Sequence, residues 1–177
     1  SAWAQAFSQL VNNWLTESEA KLAQWRNTIL EAVGDNGGVL IDFIPALERI
    51  IGPQPEVPQL GGLESQNRFT SYFNRFISNL ATPDNPLVVF LDDLQWIDPA
   101  SLDLIDTLFT GQNTSSILVI GAYRINEVDA AHPLAVSLDR LQAKRNWVTV
   151  LTLKDLPPDE ANLLLADTLQ LRVGDCS

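Results

Sequence analysis

One segment, Leu87–Asp98, constrains the fold of this chain more than any other. Its first five residues are apolar, and they run directly into two adjacent carboxylates, Asp92 and Asp93. A continuous apolar run of this length is typical of a parallel strand that is buried on both faces. In open sheets of parallel strands, ligands bind at the carboxyl ends of the strands. The segment therefore predicts that acidic groups stand at the rim of a nucleotide site.

The usual partner of such a segment, a phosphate-binding loop, is not found in the sequence. That loop reads Gly-x-x-x-x-Gly-Lys-Ser/Thr, because its backbone amides and its lysine hold phosphate oxygens. The chain has three lysines, Lys21, Lys144 and Lys154, and none of them follows a glycine. It also contains no methionine. We therefore expect a fragment of a longer protein that carries half of the parts of an ATP site.

The composition excludes several classes of function. The net charge of −11, without any cluster of basic residues, disfavours a nucleic-acid or anionic-membrane partner, which requires a positive surface. His132 and Cys176 are the only residues of their types, so neither a disulfide within the chain nor a clustered histidine or cysteine metal site is expected. No apolar run approaches the roughly 18 residues of a membrane span. A cytoplasmic location is the expectation.

The pattern downstream of residue 86 alternates between strands and helices. Strands are predicted near 87–91, 117–122 and 148–153, the last of them beginning at Trp147. Helices are predicted from Asp98-Pro99 to Gly111–Thr114, near 132–143, and from the segment Leu156–Glu160 to about 170. Because the strands are continuously apolar, they predict an α/β fold with a parallel sheet whose two faces are both covered.

The pattern upstream of residue 81 is helical. Helices are predicted over 2–15, from a capping box at Thr16–Glu19 to Gly34, over 39–51, and over 63–80. A strand at Val39–Ile41 is the alternative that we disfavour, because Pro45 suits the first turn of a helix. Residues 52–62 are too rich in proline and glycine for regular structure. The aromatic stripe of the helix over 63–80 is interpreted as core packing.

Three residues are candidates for chemistry at the predicted strand ends. Asp92 could hold Mg²⁺, and Asp93 could orient or deprotonate an attacking water. The alternative is an exposed acidic turn. Arg124, after the second strand, could contact a terminal phosphate; the alternative is a surface ion pair with Glu127 or Asp129.

Two further side chains receive structural interpretations. Arg68 lies one helical turn from Glu64, and we expect an ion pair on the helix surface. Trp96 follows the acid pair, and we expect it to pack beneath the site rather than to stack on a ligand.

The segment Leu87–Asp98, with Pro99–Leu102 after it, resembles the Walker B segment of the AAA-like signal-transduction ATPases called STAND. Gly121–Arg124 resembles their sensor 1 strand. Within that group the chain is similar to the ATPase module of bacterial multi-sensor signal-transduction kinases. Stretches that carry this further similarity are residues 15–19, 39–42, 51–55 and 66–69.

The resemblance implies a three-layer P-loop NTPase fold in three parts: a helical part over 1–80, an α/β core over 81–154 and the start of a helical lid over 155–177. It implies that Asp92 is the Mg²⁺ acid, Asp93 the second, catalytic Walker B acid and Arg124 the phosphate sensor. ATP and Mg²⁺ would bind in the parent protein and not to this fragment. The first strand, the phosphate loop, the helix after it and the second strand would lie upstream of Ser1.

Two functions remain open at this point. The first is a fragment of a regulatory ATPase module in signal transduction, inactive alone, whose partners are the rest of the parent protein: the Walker A region and the kinase and sensor domains. The second is a non-catalytic interaction or oligomerisation module. A sheet that lacks its central strand has an unpaired edge, and such an edge favours self-association.

Overall fold

The structure, a computed structural model, describes residues 1–58, 60–110, 116–145 and 148–169. The helices within these ranges are α1 (Ala2–Trp14), α2 (Glu19–Val33), α3 (Gly37–Phe43), α4 (Glu48–Ile51), α5 (Gly62–Leu80), α6 (Pro99–Thr110), α7 (Pro133–Arg145) and α8 (Pro158–Leu169). The strands are β1 (Leu87–Leu91) and β2 (Ile117–Gly121). The chain divides into two compact units, Ser1–Trp147 and Val148–Ser177, and α8 belongs to the second.

The strands β1 and β2 pair in parallel, as the sequence predicts. The register runs from Leu87 opposite Ile117 to Leu91 opposite Gly121. Since the two strands are parallel, their carboxyl ends lie at the same edge of the sheet, and the residues that follow them are neighbours in space.

Only one face of this small sheet is covered, so the prediction that both faces are buried is wrong for the described residues. Val89 and Leu91 of β1 are buried, whereas Val88 and Phe90 are 58% and 59% exposed. Their partners on β2, Leu118 and Ile120, are also exposed. Alternate side chains of a strand point to opposite faces, so these four residues form one apolar patch, the open face.

The prediction of a third strand near 148–153 is also wrong. The structure describes these residues without strand geometry, and the side chains of Leu151 and Leu153 are 81% and 92% exposed. An apolar, β-branched run becomes a strand only when a neighbouring backbone completes its hydrogen bonds. No described residue forms such a ladder with this segment.

The core of the first unit contains an aromatic cluster contributed by α1, α3 and α5. Phe73 lies at its centre and is fully buried. Four rings lie within 6.1 Å of the Phe73 ring, those of Trp3, Phe7, Phe43 and Phe69. The interpretation of the aromatic stripe as core is confirmed. The cluster reaches the α/β part through the Trp3 indole, whose Nε1 donates to the backbone carbonyl of Ser101 at 3.2 Å.

Most predicted elements are present, but the beginning of α2 and the continuity of the helix over 39–51 differ from the prediction. The predicted capping box at Thr16 is wrong, because α2 begins at Glu19 after Ser18 and the Thr16 hydroxyl donates to the carbonyl of Asn13 at 2.7 Å. Gly34 ends α2 with a φ of 54°, as predicted. The helix predicted over 39–51 is broken at Ile44, where α3 ends and the backbone leaves helical geometry before Pro45. The connector over 52–61 has no regular structure where it is described.

Some predictions concern residues outside the described ranges. They are the end of a helix at Gly111–Thr114, the beginning of a strand at Trp147, and the residues from 170 onward with Cys176. None of the described helices is both long and apolar enough to cross a membrane.

Candidate functional site

The carboxyl end of β1 presents two exposed acids in different backbone conformations. Asp92 Oδ1 accepts a hydrogen bond from the backbone N–H of Asp93 at 2.9 Å. Asp93 itself is in the left-handed region, with φ 52° and ψ 44°. A short 3₁₀ turn, Leu94–Trp96, begins directly after it. The left-handed conformation of Asp93 marks the point where the chain leaves the sheet, and both carboxylates lie at this point.

Backbone hydrogen bonds continue beyond the ends of both strands. The N–H of Ala122 donates to the carbonyl of Leu91, and the N–H of Leu94 donates to the carbonyl of Ala122, each at 2.9 Å. These bonds keep the segment after β2 beside the segment after β1. The structure thus brings the loop that carries Asp92 and Asp93 next to the loop that carries Arg124.

A buried glutamine joins these two loops. Gln95 Nε2 donates to Asp93 Oδ1 at 2.9 Å, and Gln95 Oε1 accepts from the backbone N–H of Arg124 at 3.3 Å. The residue is only 6% exposed. Sequence reasoning missed Gln95, although a polar residue between Leu94 and Trp96 in an otherwise apolar turn was an available signal.

The Arg124 side chain contacts an acid of its own turn. Its Nη1 lies 3.1 Å from Glu127 Oε1, and 67% of the arginine side chain is exposed. The structure therefore contains the alternative given above, a surface ion pair between Arg124 and Glu127. Exposed pairs contribute about 0–1 kcal/mol, so the guanidinium can leave Glu127 for a stronger anion at small cost.

Two structural interpretations of side chains near the site are wrong. Trp96 is 77% exposed rather than packed beneath the site, because Leu94 and Gln95 occupy the buried side of the 3₁₀ turn. Arg68 does not pair with Glu64. Its Nη1 donates instead to the carbonyl of Pro58 in the connector at 2.8 Å, which ties the connector to α5.

The predicted helix start at Asp98-Pro99 is confirmed in detail. Asp98 Oδ1 accepts from the backbone N–H of Ser101 at 2.9 Å, and Asp98 Oδ2 accepts from its hydroxyl at 2.8 Å. Burial raises the pKa of Asp98, but the Ser101 hydrogen bonds, the positive charge of the chain terminus and the backbone N–H of Asp98 together outweigh it, so the pKa lies below its ordinary value of 3.8. This ionised cap fixes the start of α6 a few residues after the acid pair.

The acid pair offers oxygen ligands of the kind that hard divalent cations such as Mg²⁺ take. Among the described residues, no group of three or more histidines, cysteines, aspartates or glutamates could hold a metal alone. Asp92 and Asp93 offer exposed carboxylate oxygens. Mg²⁺ is commonly bound through one or two carboxylates, with waters and substrate phosphates as its other ligands. The residues present therefore fit Mg²⁺ that arrives with a nucleotide, and they do not form a complete metal cage.

Comparison with known families decides the assignment that this geometry leaves open. Residues 1–120 match the family described as AAA ATPase domain. The chain belongs to this family. The residues of the chain that match the AAA ATPase domain include the helical part, β1, the acid pair and most of β2.

The AAA ATPase domain also has a relative among characterised proteins. The chain is 43% identical over 108 residues to hybrid signal transduction histidine kinase G of Dictyostelium discoideum. That alignment covers 61% of the chain but only 3% of the kinase, so the chain corresponds to a small part of that protein. No solved structure matches the chain.

Proposed function

We propose that this chain is part of a regulatory ATP-binding module in a signal-transduction protein, and that it supplies the Walker B acids and the sensor residue of that module. The observation that carries the proposal is the shared sheet edge, where Asp92, Asp93 and the Arg124 backbone lie together through Gln95. Membership of the AAA ATPase domain family and the similarity to a hybrid histidine kinase support it. The STAND assignment, the bacterial origin and the cytoplasmic location are finer parts of the same proposal.

Each residue has a distinct task in this proposal. Asp92 would hold Mg²⁺, and that ion would neutralise charge on the phosphates. Asp93 accepts a proton from, or orients, a water at the sheet edge. The Arg124 guanidinium leaves Glu127 and binds the terminal phosphate, so that its position depends on the state of the nucleotide.

The chain alone is proposed to be inactive. A phosphate loop contributes most of the contacts to a nucleotide, through backbone N–H groups and a lysine. Two carboxylates would repel the phosphates unless a cation lay between them. The phosphate loop is therefore proposed to come from another part of the parent protein, as are the kinase and sensor domains that would respond to it.

Calorimetric titration with Mg²⁺ and ATP tests this proposal. We expect no saturable heat from the chain itself. We expect saturable binding from a longer protein that includes a phosphate loop, lost in Asp92→Ala, and ATP hydrolysis that is lost in Asp93→Asn. Asp84→Ala is the matched control. Asp84 is an exposed acid in the turn before β1, so it lies at the amino end of that strand and not at the carboxyl end. A longer protein that neither binds nor hydrolyses ATP would refute the proposal.

A second candidate, a non-catalytic interaction or oligomerisation module, is favoured by the open face. Four apolar side chains, Val88, Phe90, Leu118 and Ile120, are 44–59% exposed in adjacent positions of two strands. Sedimentation of Phe90→Asp beside Ile125→Asp tests it, because Ile125 is exposed but lies outside the strands. Self-association that only Phe90→Asp abolishes would support this candidate, and a monomer at all concentrations would exclude self-association through the face.

A further inference from the structure

We propose that Gln95 is a positioning residue that makes the orientation of the Asp93 carboxylate dependent on the backbone position of Arg124. The inference deepens the proposed function, because it assigns a physical link between the acid that acts on water and the segment that senses phosphate. Gln95 touches neither a nucleotide nor a metal in this proposal. It acts only through the two residues that it joins.

The hydrogen-bonding chemistry allows only one orientation of the Gln95 amide. The backbone N–H of Arg124 is a donor, so it requires the amide oxygen, 3.3 Å away. The Asp93 carboxylate is an acceptor, so it requires the amide nitrogen, 2.9 Å away. A rotation of the amide by 180° would break both bonds at once. Movement at either end is therefore transmitted to the other end.

The surroundings of Gln95 make this link stiff. The side chain is 6% exposed, so water cannot easily replace a lost partner. Leu94, the residue before it, is also buried and lies so close to Gly121 that a Cβ on that glycine would overlap the Leu94 side chain. The backbone just before Gln95 is thus held against the end of β2. The amide has little freedom to follow Asp93 without also moving the Arg124 segment.

A backbone path between the same loops must be distinguished from this side-chain path. The N–H of Leu94 donates to the carbonyl of Ala122, and the N–H of Ala122 donates to the carbonyl of Leu91. These bonds involve no side chain of residues 92–95. They should persist when Gln95 or Asp93 is changed. The Ala122 amide is therefore an internal reference for sheet integrity, whereas the Arg124 amide reports on the Gln95 link.

Hydrogen exchange of the Arg124 backbone amide, measured by NMR on this chain without nucleotide, tests the inference. In Gln95→Leu the Arg124 amide loses its acceptor, and we expect its exchange to accelerate about tenfold. In Asp93→Ala the Gln95 amide loses its anchor, and we expect an acceleration of about threefold. In the double variant the rate should equal that of Gln95→Leu, because Asp93 acts on Arg124 only through Gln95. The Ala122 amide should stay protected in all three.

Asp92→Ala is the matched control. It removes another exposed carboxylate one residue earlier, and no hydrogen bond joins Asp92 to Gln95. We expect the Arg124 exchange rate to be unchanged in this variant. If Asp92→Ala accelerates exchange as much as Asp93→Ala, the effect is one of local charge and the inference is overturned.

Two other results would overturn it. One is an unchanged exchange rate of the Arg124 amide in Asp93→Ala. This result can be obtained even if the Gln95 variants do not fold. The other is an Asp93→Ala effect that adds in full to that of Gln95→Leu. Since no nucleotide is present, either result would leave the proposed ATP-binding function standing. Conversely, a failure of the calorimetric test would leave the exchange test of the Gln95 link unaffected.

Discussion

Arg140 of α7 donates a hydrogen bond from Nη1 to Oδ2 of Asp106 on α6 at 2.6 Å, and the same carboxylate accepts the Ser137 hydroxyl at 2.7 Å. Ser137 is only 5% exposed. One acid therefore fastens the helix after β1 to the helix after β2. The two loops of the candidate site are held at one side by the sheet and at the other by this contact between helices.

Asp106→Ala should destabilise the first unit by about 1–3 kcal/mol, because it leaves a buried hydroxyl without its acceptor. The measurement is the free energy of unfolding from urea titration. Asp139→Ala is the control, since Asp139 is an exposed acid on α7, and it should change stability by less than about 0.5 kcal/mol. Equal effects of the two variants would contradict the assignment of a special role to Asp106.

The Asp98 cap should make stability depend on pH in acid. The folded-state pKa of Asp98 is lowered from 3.8, so the ionised carboxylate stabilises the fold fully above that unfolded value, and this contribution is lost as pH falls through the folded pKa. Asp98→Asn keeps a capping oxygen but removes the charge. The difference in unfolding free energy between the native chain and Asp98→Asn should therefore be constant at pH 5–7 and shrink below about pH 3.8. A difference that grows in acid would contradict this sign.

Phe73→Ala should be among the most destabilising substitutions in the chain. The ring is fully buried and contacts four other aromatic rings, so its removal leaves a cavity and should cost about 3–5 kcal/mol. Leu63→Ala on the same helix is the control, because Leu63 is 74% exposed. Thermal unfolding followed by circular dichroism gives both values. A Phe73→Ala variant that unfolds at the native temperature would show that the cluster is not the core.

The ion pair between Arg124 and Glu127 should contribute little to stability. Glu127→Gln removes the charge of the partner and should change the free energy of unfolding by less than about 0.5 kcal/mol, since the arginine is largely exposed. Urea titration at low and high salt measures this. A loss above about 1 kcal/mol would show that the pair holds Arg124 in place, which would argue against its release to a phosphate.

The sequence predicts local elements well where a physical signal is local. The helical spacing of Phe69, Phe73 and Phe76 fixes one face of α5, and Asp98-Pro99 marks the start of α6 through its own side-chain and backbone chemistry. The parallel strands β1 and β2 follow from two apolar runs separated by a helix. The two helical features depend on residues within one or two turns of each other, and each strand is predicted from its own apolar run.

The sequence fails where a residue's state depends on distant partners. The apolar runs at 87–91 and 117–121 predict two covered faces, but coverage depends on other elements, and Phe90 is exposed. The run at 148–153 has strand composition and no ladder partner among the described residues. The polarity of Gln95 is a local signal, but its role could not be read from it, because that role arises from Arg124, 29 residues later. The roles of Asp92, Asp93 and Arg124 stay predictions.

The backbone at residue 93 has a consequence for how this sequence can drift over generations. Glycine adopts the left-handed conformation freely, whereas another residue is strained there by of order 1 kcal/mol. Substitution to glycine would relieve that strain and delete the carboxylate. In a lineage that has no use for the acid, glycine should therefore accumulate at position 93, while position 92, in an ordinary conformation, should change without a preferred direction. The residue found at 93 across a lineage would then record whether the site is still in use.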